Sequence, residues 1–174
     1  MRGLLSSRWA TLALLAALIA VLPLVFPSGY YYRVAALVWI SALAAVGLNI
    51  LMGYAGQVSL GHAGFFGVGA YAVAIGPGRF GLASWLCILV GALASAVLAW
   101  LIGRPILRLK GHYLAIGTLG FGVLIALVLT SESSWTGGPD GVSVPRLAIA
   151  GLRIAGSTAW YWISGTVLVL GAWP

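Results

Sequence analysis

Apolar residues fill this chain in long stretches, broken only by short polar or glycine-rich pieces. The stretches run from Trp9 to Phe26, Val34 to Met52, Phe65 to Ile75, Leu82 to Ile102, Tyr113 to Thr130 and Thr158 to Pro174. A helix needs about 20 predominantly apolar residues to cross a bilayer. The pattern therefore predicts an all-α fold, a polytopic transmembrane helical bundle of about five to six spans, the last hardly long enough to cross. A secretory signal peptide also pairs a basic start with an apolar middle, but its apolar part is about 7 to 15 residues and ends in small residues at a cleavage site. The first stretch, preceded by Arg2 and Arg8 and closing at "FPSG", is longer and lacks such a site, so it reads as a retained span with "YYYR" (Tyr30 to Arg33) as an interfacial aromatic anchor. "GPGRFG", Gly76 to Gly81, reads as a tight turn.

One piece breaks the pattern by being polar inside the apolar region. "GLNILMGYAGQVSLGHAGFFGVGAYAVAI", Gly47 to Ile75, gathers Asn49, Gln57, Ser59 and His62 with Gly53, Gly56, Gly61, Gly64, Gly67 and Gly69. Each glycine weakens a helix by about 1 kcal/mol relative to alanine. A continuous helix from Val34 to Ile75 would be about 60 Å long at 1.5 Å per residue, twice the roughly 30 Å hydrocarbon core. The expectation is a broken or re-entrant segment around residues 53–64. Non-helical backbone at membrane depth survives only where it is buried in protein or lines a wet cavity, and free helix ends beside polar side chains suit a translocation path. The candidate path or break residues are Asn49, Gly53, Gly56, Gln57, Ser59, Gly61, His62 and Gly64. Plain packing is the competing account, with small residues letting helices touch and the polar side chains bonding across them. His62 has no second His, Cys, Asp or Glu at metal-ligand spacing, so no metal site is expected.

Composition and charge sharpen this picture. Hydrophobic residues make up 62% of the 174 and charged residues 6%, which places the chain in a bilayer. The net charge of +7 comes from nine Lys and Arg against two acids; the basic residues sit at the ends of apolar runs, with no basic face interleaved with aromatics to track nucleic acid. The densest cluster, Arg104, Arg108 and Lys110, reads as a cytoplasmic topology signal near anionic lipid. With a cytoplasmic N-terminus, alternation puts residues 103–112 in the cytoplasm and residues 131–157, holding Glu132 and Asp140, outside; Arg146 and Arg153 in that long outer loop run against the rule. Gly91, Ser95, Ala99 and Gly103 recur every four residues and predict a helix-packing seam. Cys87, the single cysteine, reads as a small packing residue.

Catalytic chemistry finds no foothold, because the two acids and two histidines are scattered over separate loops and spans. No GxxxxGK[ST] phosphate loop is present, so ATP hydrolysis would belong to a partner. No cofactor is expected. A secondary transporter is the alternative from another class, but those couple to ions through intramembrane carboxylates, and neither Asp nor Glu lies in a predicted span. An inactive remnant or structural membrane subunit is a further alternative.

The glycine-rich stretch, "GHYLAIGTLGFGVLIALVLT" and "SWTGGPDGVSVP" together resemble the permease subunits of branched-chain amino acid ABC transporters, in order and spacing, over roughly residues 34 to 146. The resemblance implies a membrane subunit that pairs with a second permease, receives substrate from a periplasmic binding protein, is driven by two cytoplasmic ATPase subunits, and sits in the cell inner membrane. It leaves leucine, isoleucine and valine open against urea or other amides. Two departures stand out. Val123 and Ala126 occupy positions where the family usually carries a glutamate and an arginine. Family members also continue well past this length, so residues 1–174 resemble the N-terminal part of a permease domain, and a truncated product is expected.

Overall fold

The computed structural model describes residues 2–144, 148–149, 152–153 and 156–172, with side chains for 9–144 and 156–172. Among the described residues seven helices follow in order: α1 Arg2–Val25, α2 Gly29–Ala55, α3 His62–Phe80, α4 Ser84–Ile106, α5 His112–Ser131, α6 Ser133–Thr136 and α7 Ser157–Gly171. A 3-10 turn at Gly138–Asp140 and a two-residue antiparallel hairpin, β1 Ala148–Ile149 with β2 Leu152–Arg153, occupy the connection before α7. Among the described residues α2, α4 and α5 are long and apolar enough to cross a membrane, and Trp9–Val25 forms a shorter apolar helix.

The chain divides into two compact units, one of Met1–Gly47 with Ile154–Pro174, the other Leu48–Arg153. In the first unit Ile19, Ala35, Trp39, Tyr161 and Leu168 form a buried cluster. Tyr161, at its centre, is fully buried and packs against Tyr32 and Trp39 with ring centroids 5.5 and 6.2 Å away. Its hydroxyl donates to the Ile19 carbonyl at 2.6 Å. Chain chemistry explains that partner. A helical carbonyl normally accepts from the N–H four residues on, but that residue is Pro23, which has none. Tyr161 supplies from α7 the hydrogen that α1 cannot supply itself. Gly165 gives Ile19 room beside α7, since a Cβ there would stand 2.9 Å from Ile19 Cγ2.

In the second unit α3 packs along α4 and α5. Its register with α4 is set by small residues: Gly76 faces the Cys87 thiol, a Cβ on Gly91 would lie 3.0 Å from the Ala72 Cβ, and the Ser95 hydroxyl donates to the Phe65 carbonyl at 3.4 Å. Helices approach closely over such surfaces.

Several boundaries differ from the sequence reading. Tyr30 to Arg33 lie in the first turn of α2 rather than ahead of it. The helix expected to begin at Phe65 and end at Ile75 begins at His62 and runs through Pro77 to Phe80. Gly76 is packed against Cys87 and so held in the helix, and the turn is made by Gly81, whose φ of +61° ends α3 in the left-handed region.

A candidate ligand cavity at the helix break

The interruption between α2 and α3 covers Gly56 to Gly61; Gly53 and Gly64, expected within it, are helical. Gly56 starts it with φ +62°, a left-handed turn that side chains resist and glycine takes freely. The segment then lies directly on α5. A Cβ on Gly61 would collide with the Thr118 carbonyl, and one on Gly122 would lie 3.1 Å from the Gly61 Cα. The Leu60 N–H donates to the Thr118 hydroxyl at 3.0 Å, and that hydroxyl donates to the Ala115 carbonyl at 2.9 Å. Backbone that left the helix is thus re-satisfied by a side chain of α5.

Because α3 starts only at His62, opposite the middle of α5, its neighbours frame a partly open cavity of about 230 Å³. Leu51, the break residues Gln57, Val58, Ser59 and Gly61, Phe65 of α3, Ala99, Ile102, Gly103, Ile106 and Leu107 around the end of α4, and Leu114, Thr118 and Phe121 of α5 line it. Phe65 and Phe121 pair at 5.0 Å between centroids, 40° apart in plane. Ser59 is buried as a residue, but its hydroxyl is open to the cavity; the buried side-chain polar atom left unpaired among the described residues is Trp39 Nε1, in the first unit. No charged side chain contributes to the wall.

The structure thus gathers Gln57, Ser59 and Gly61 on one cavity and leaves other candidates elsewhere. Asn49 is exposed on α2, one turn from Gly53. His62, half-buried at the head of α3, is not part of the wall, and Gly64 packs on α5, where a Cβ would be 3.4 Å from the Gly122 Cα. The stripe on α4 divides: Gly91 and Ser95 meet α3, while Ala99 and Gly103 face the cavity. Arg104 stacks over the Trp100 ring at 4.1 Å, and Arg104, Arg108 and Lys110 are all exposed. Thr118 and Gly122 were not singled out from sequence; their signal is a second glycine cluster, "GTLGFG", whose partner surface is the first.

At the other end of α3, Arg79 donates to the Ser134 carbonyl and lies 5.2 Å over the Trp135 ring. Thr136, buried, shares its one hydroxyl hydrogen between the Leu129 and Glu132 carbonyls, each 2.6 Å away, and accepts from the Gly138 N–H, fixing the turn that carries Glu132 and Asp140.

Residues 30–173 match the family described as branched-chain amino acid transport system / permease component. The chain is 40% identical over 126 residues to the high-affinity branched-chain amino acid transport system permease protein LivM of Salmonella typhimurium, covering 72% of this chain and 30% of that protein. To the protein of the same name from Escherichia coli it is 39% identical over 123 residues, 70% of this chain and 29% of the relative. The chain thus spans about 30% of the length of these relatives. No solved structure matches.

Proposed function

The chain belongs to the branched-chain amino acid transport system permease family, and from that premise we propose that it forms part of the membrane permease of an ATP-driven importer of branched-chain amino acids. It is a transport component, not an enzyme; the sequence carries no phosphate-binding loop, so the nucleotide chemistry falls to two cytoplasmic ATPase subunits. A second permease subunit and a periplasmic substrate-binding protein complete the assembly. The chain is a multi-pass protein of the inner membrane, with its N-terminus and the basic 103–112 connection on the cytoplasmic side.

The observation that carries the reading is the cavity at the break. It is built by the glycine-rich stretch and the "GTLGFG" segment, both inside the family match, and its wall is apolar apart from Gln57, Ser59 and Thr118. Such a wall suits an aliphatic amino acid and not urea, which has no alkyl part to bury. The test is uptake into vesicles carrying the chain with its second permease, ATPases and binding protein. ATP-dependent accumulation of labelled leucine is expected. Accumulation of urea in preference to leucine would overturn the substrate class.

A further inference from the structure

Among the side chains described in the first unit, Arg33 is the one that carries a charge, and no acid accompanies it. It is exposed one turn into α2, just past Tyr30 and Tyr31, which are 71% and 45% exposed. Exposed aromatics at the end of an apolar helix sit at headgroup level in a bilayer. The Arg33 guanidinium therefore stands at a membrane interface with no carboxylate from the described part of its own unit to meet. From this level α2 and α7 run side by side. The Ser157 hydroxyl stands against Gly29, where an added Cβ would be 3.2 Å away, and near the other ends of the same helices an added Cβ on Gly171 would strike the Leu43 side chain. Between these two contacts the helices part. The gap is a cleft of about 340 Å³ whose lining includes Arg33 and Ser157 from the first turns and Ala36, Leu37, Ile40 and Trp160 from further along. From Arg33 to Ile40 the lining runs about 10 Å along α2, at 1.5 Å per residue.

The cleft thus has a cationic, hydroxyl-bearing end at the interface and an apolar floor reaching into the bilayer, the same polarity as an anionic phospholipid. We infer that it holds one such lipid, with the Arg33 guanidinium and the Ser157 hydroxyl donating to the phosphate oxygens and the upper part of an acyl chain lying on Leu37, Ile40 and Trp160. Charge complementarity selects this occupant. Arginine presents a planar fork that matches phosphate, and the bilayer supplies phosphates at this depth. A free phosphate would leave the apolar floor uncovered, and an apolar partner helix would fill the floor but leave Arg33 unmatched. The site shares no residue with the cavity at the break and does not depend on the transport reading.

The experiment uses the full chain in phosphatidylcholine nanodiscs doped with a phosphatidylglycerol that carries a diazirine in the upper part of one acyl chain, with labelled positions mapped by mass spectrometry. Label is expected on Leu37, Ile40 or Trp160. Unmodified phosphatidylglycerol should suppress it, and glycerol phosphate, which keeps the phosphate but has no chain, should not. A phosphatidylcholine with the same diazirine chain, whose ammonium offsets its phosphate, should label the cleft about tenfold less, and Arg33→Gln should cut the phosphatidylglycerol label by about the same factor, the loss of a hydrogen bond to a charged group. Arg33→Lys should keep most of it. Equal label from the two lipids, no loss in Arg33→Gln, or label confined to the basic 103–112 connection would overturn the inference. Suppression by glycerol phosphate would assign the site to a free anion, and loss of the cleft label once a second permease subunit is bound would make it a subunit contact; either result overturns the lipid. Should Arg33→Gln lose its helical circular dichroism, the comparison of the two lipids on the unmodified chain decides alone.

Discussion

Replacing Tyr161 by Phe removes one oxygen from the middle of the first unit and should cost about 1 to 2 kcal/mol of stability. The ring stays, so the packing against Tyr32 and Trp39 is retained and the change isolates the hydroxyl. What is lost is a 2.6 Å bond to the carbonyl of Ile19, a residue 4% exposed. A buried acceptor left unpaired costs about 1–3 kcal/mol. Interhelical bonds in membrane proteins average lower, about 0.6 with a maximum of about 1.7, because the unfolded chain in the membrane finds other partners. That escape is narrow here, since Pro23 cannot serve the carbonyl in any helical state of α1. The upper part of the membrane range therefore applies, and the equilibrium constant for unfolding should rise about tenfold. Unfolding in mixed detergent and dodecyl sulfate, followed by far-UV circular dichroism, measures it. The decisive arm is the double variant. Pro23→Ala gives Ile19 its own N–H donor, so Tyr161→Phe should cost far less in that background. If Tyr161→Phe is neutral, or costs the same with Ala at position 23, the hydroxyl is not substituting for the missing helical bond.

Gly61→Ala should destabilise by about 1–3 kcal/mol, because its methyl would strike the Thr118 carbonyl and backbone cannot step aside cheaply, while Gly120→Ala, with open space around it, should be neutral or raise stability by up to about 1 kcal/mol; equal effects in the same unfolding assay would refute the contact. A cysteine placed at Ser134 should react with a membrane-impermeant maleimide added from outside intact cells, and one at Leu109 should not, as the charge pattern requires; the reverse pattern would invert the topology. Native Cys87, 1% exposed and facing Gly76, should resist a bulky maleimide until the chain is unfolded; fast labelling of the folded protein would mean that α3 and α4 separate there.

The run of apolar residues was enough to lay out the helices, and the glycine count was enough to find the break, because both follow from local chemistry: helix length against bilayer thickness, and backbone freedom at Gly56. Boundaries were harder. Pro77 reads as a helix end, yet α3 continues to Phe80 because Gly76 is held against Cys87, a contact between residues 11 apart that no local rule contains. The cavity was half legible. Gln57, Ser59 and Gly61 declared themselves by being polar or small where neither is expected. Phe65, Ile102, Leu114 and Phe121 did not, since an apolar residue in an apolar chain carries no mark of which neighbour it faces. Thr118 was hidden for another reason: its role is to take the Leu60 N–H, and that need arises only once the break exists. Tyr161 was missed although Pro23 announces an orphaned carbonyl, because the donor is 142 positions away.

The four-residue stripe on α4 puts two kinds of mutational freedom on one line. At Gly91 a single added carbon would sit 3.0 Å from Ala72, so this end accepts almost no variation without moving a helix. At Gly103 the nearest atom to an added carbon is the Leu107 side chain at 3.9 Å, and the space it would enter is the cavity itself. A lineage drifting at positions 99 and 103 therefore changes the size of what fits while the helix pair above stays as it was. Changing the size of the compartment and keeping the fold are therefore separable along this helix, the first at Gly103 and the second at Gly91.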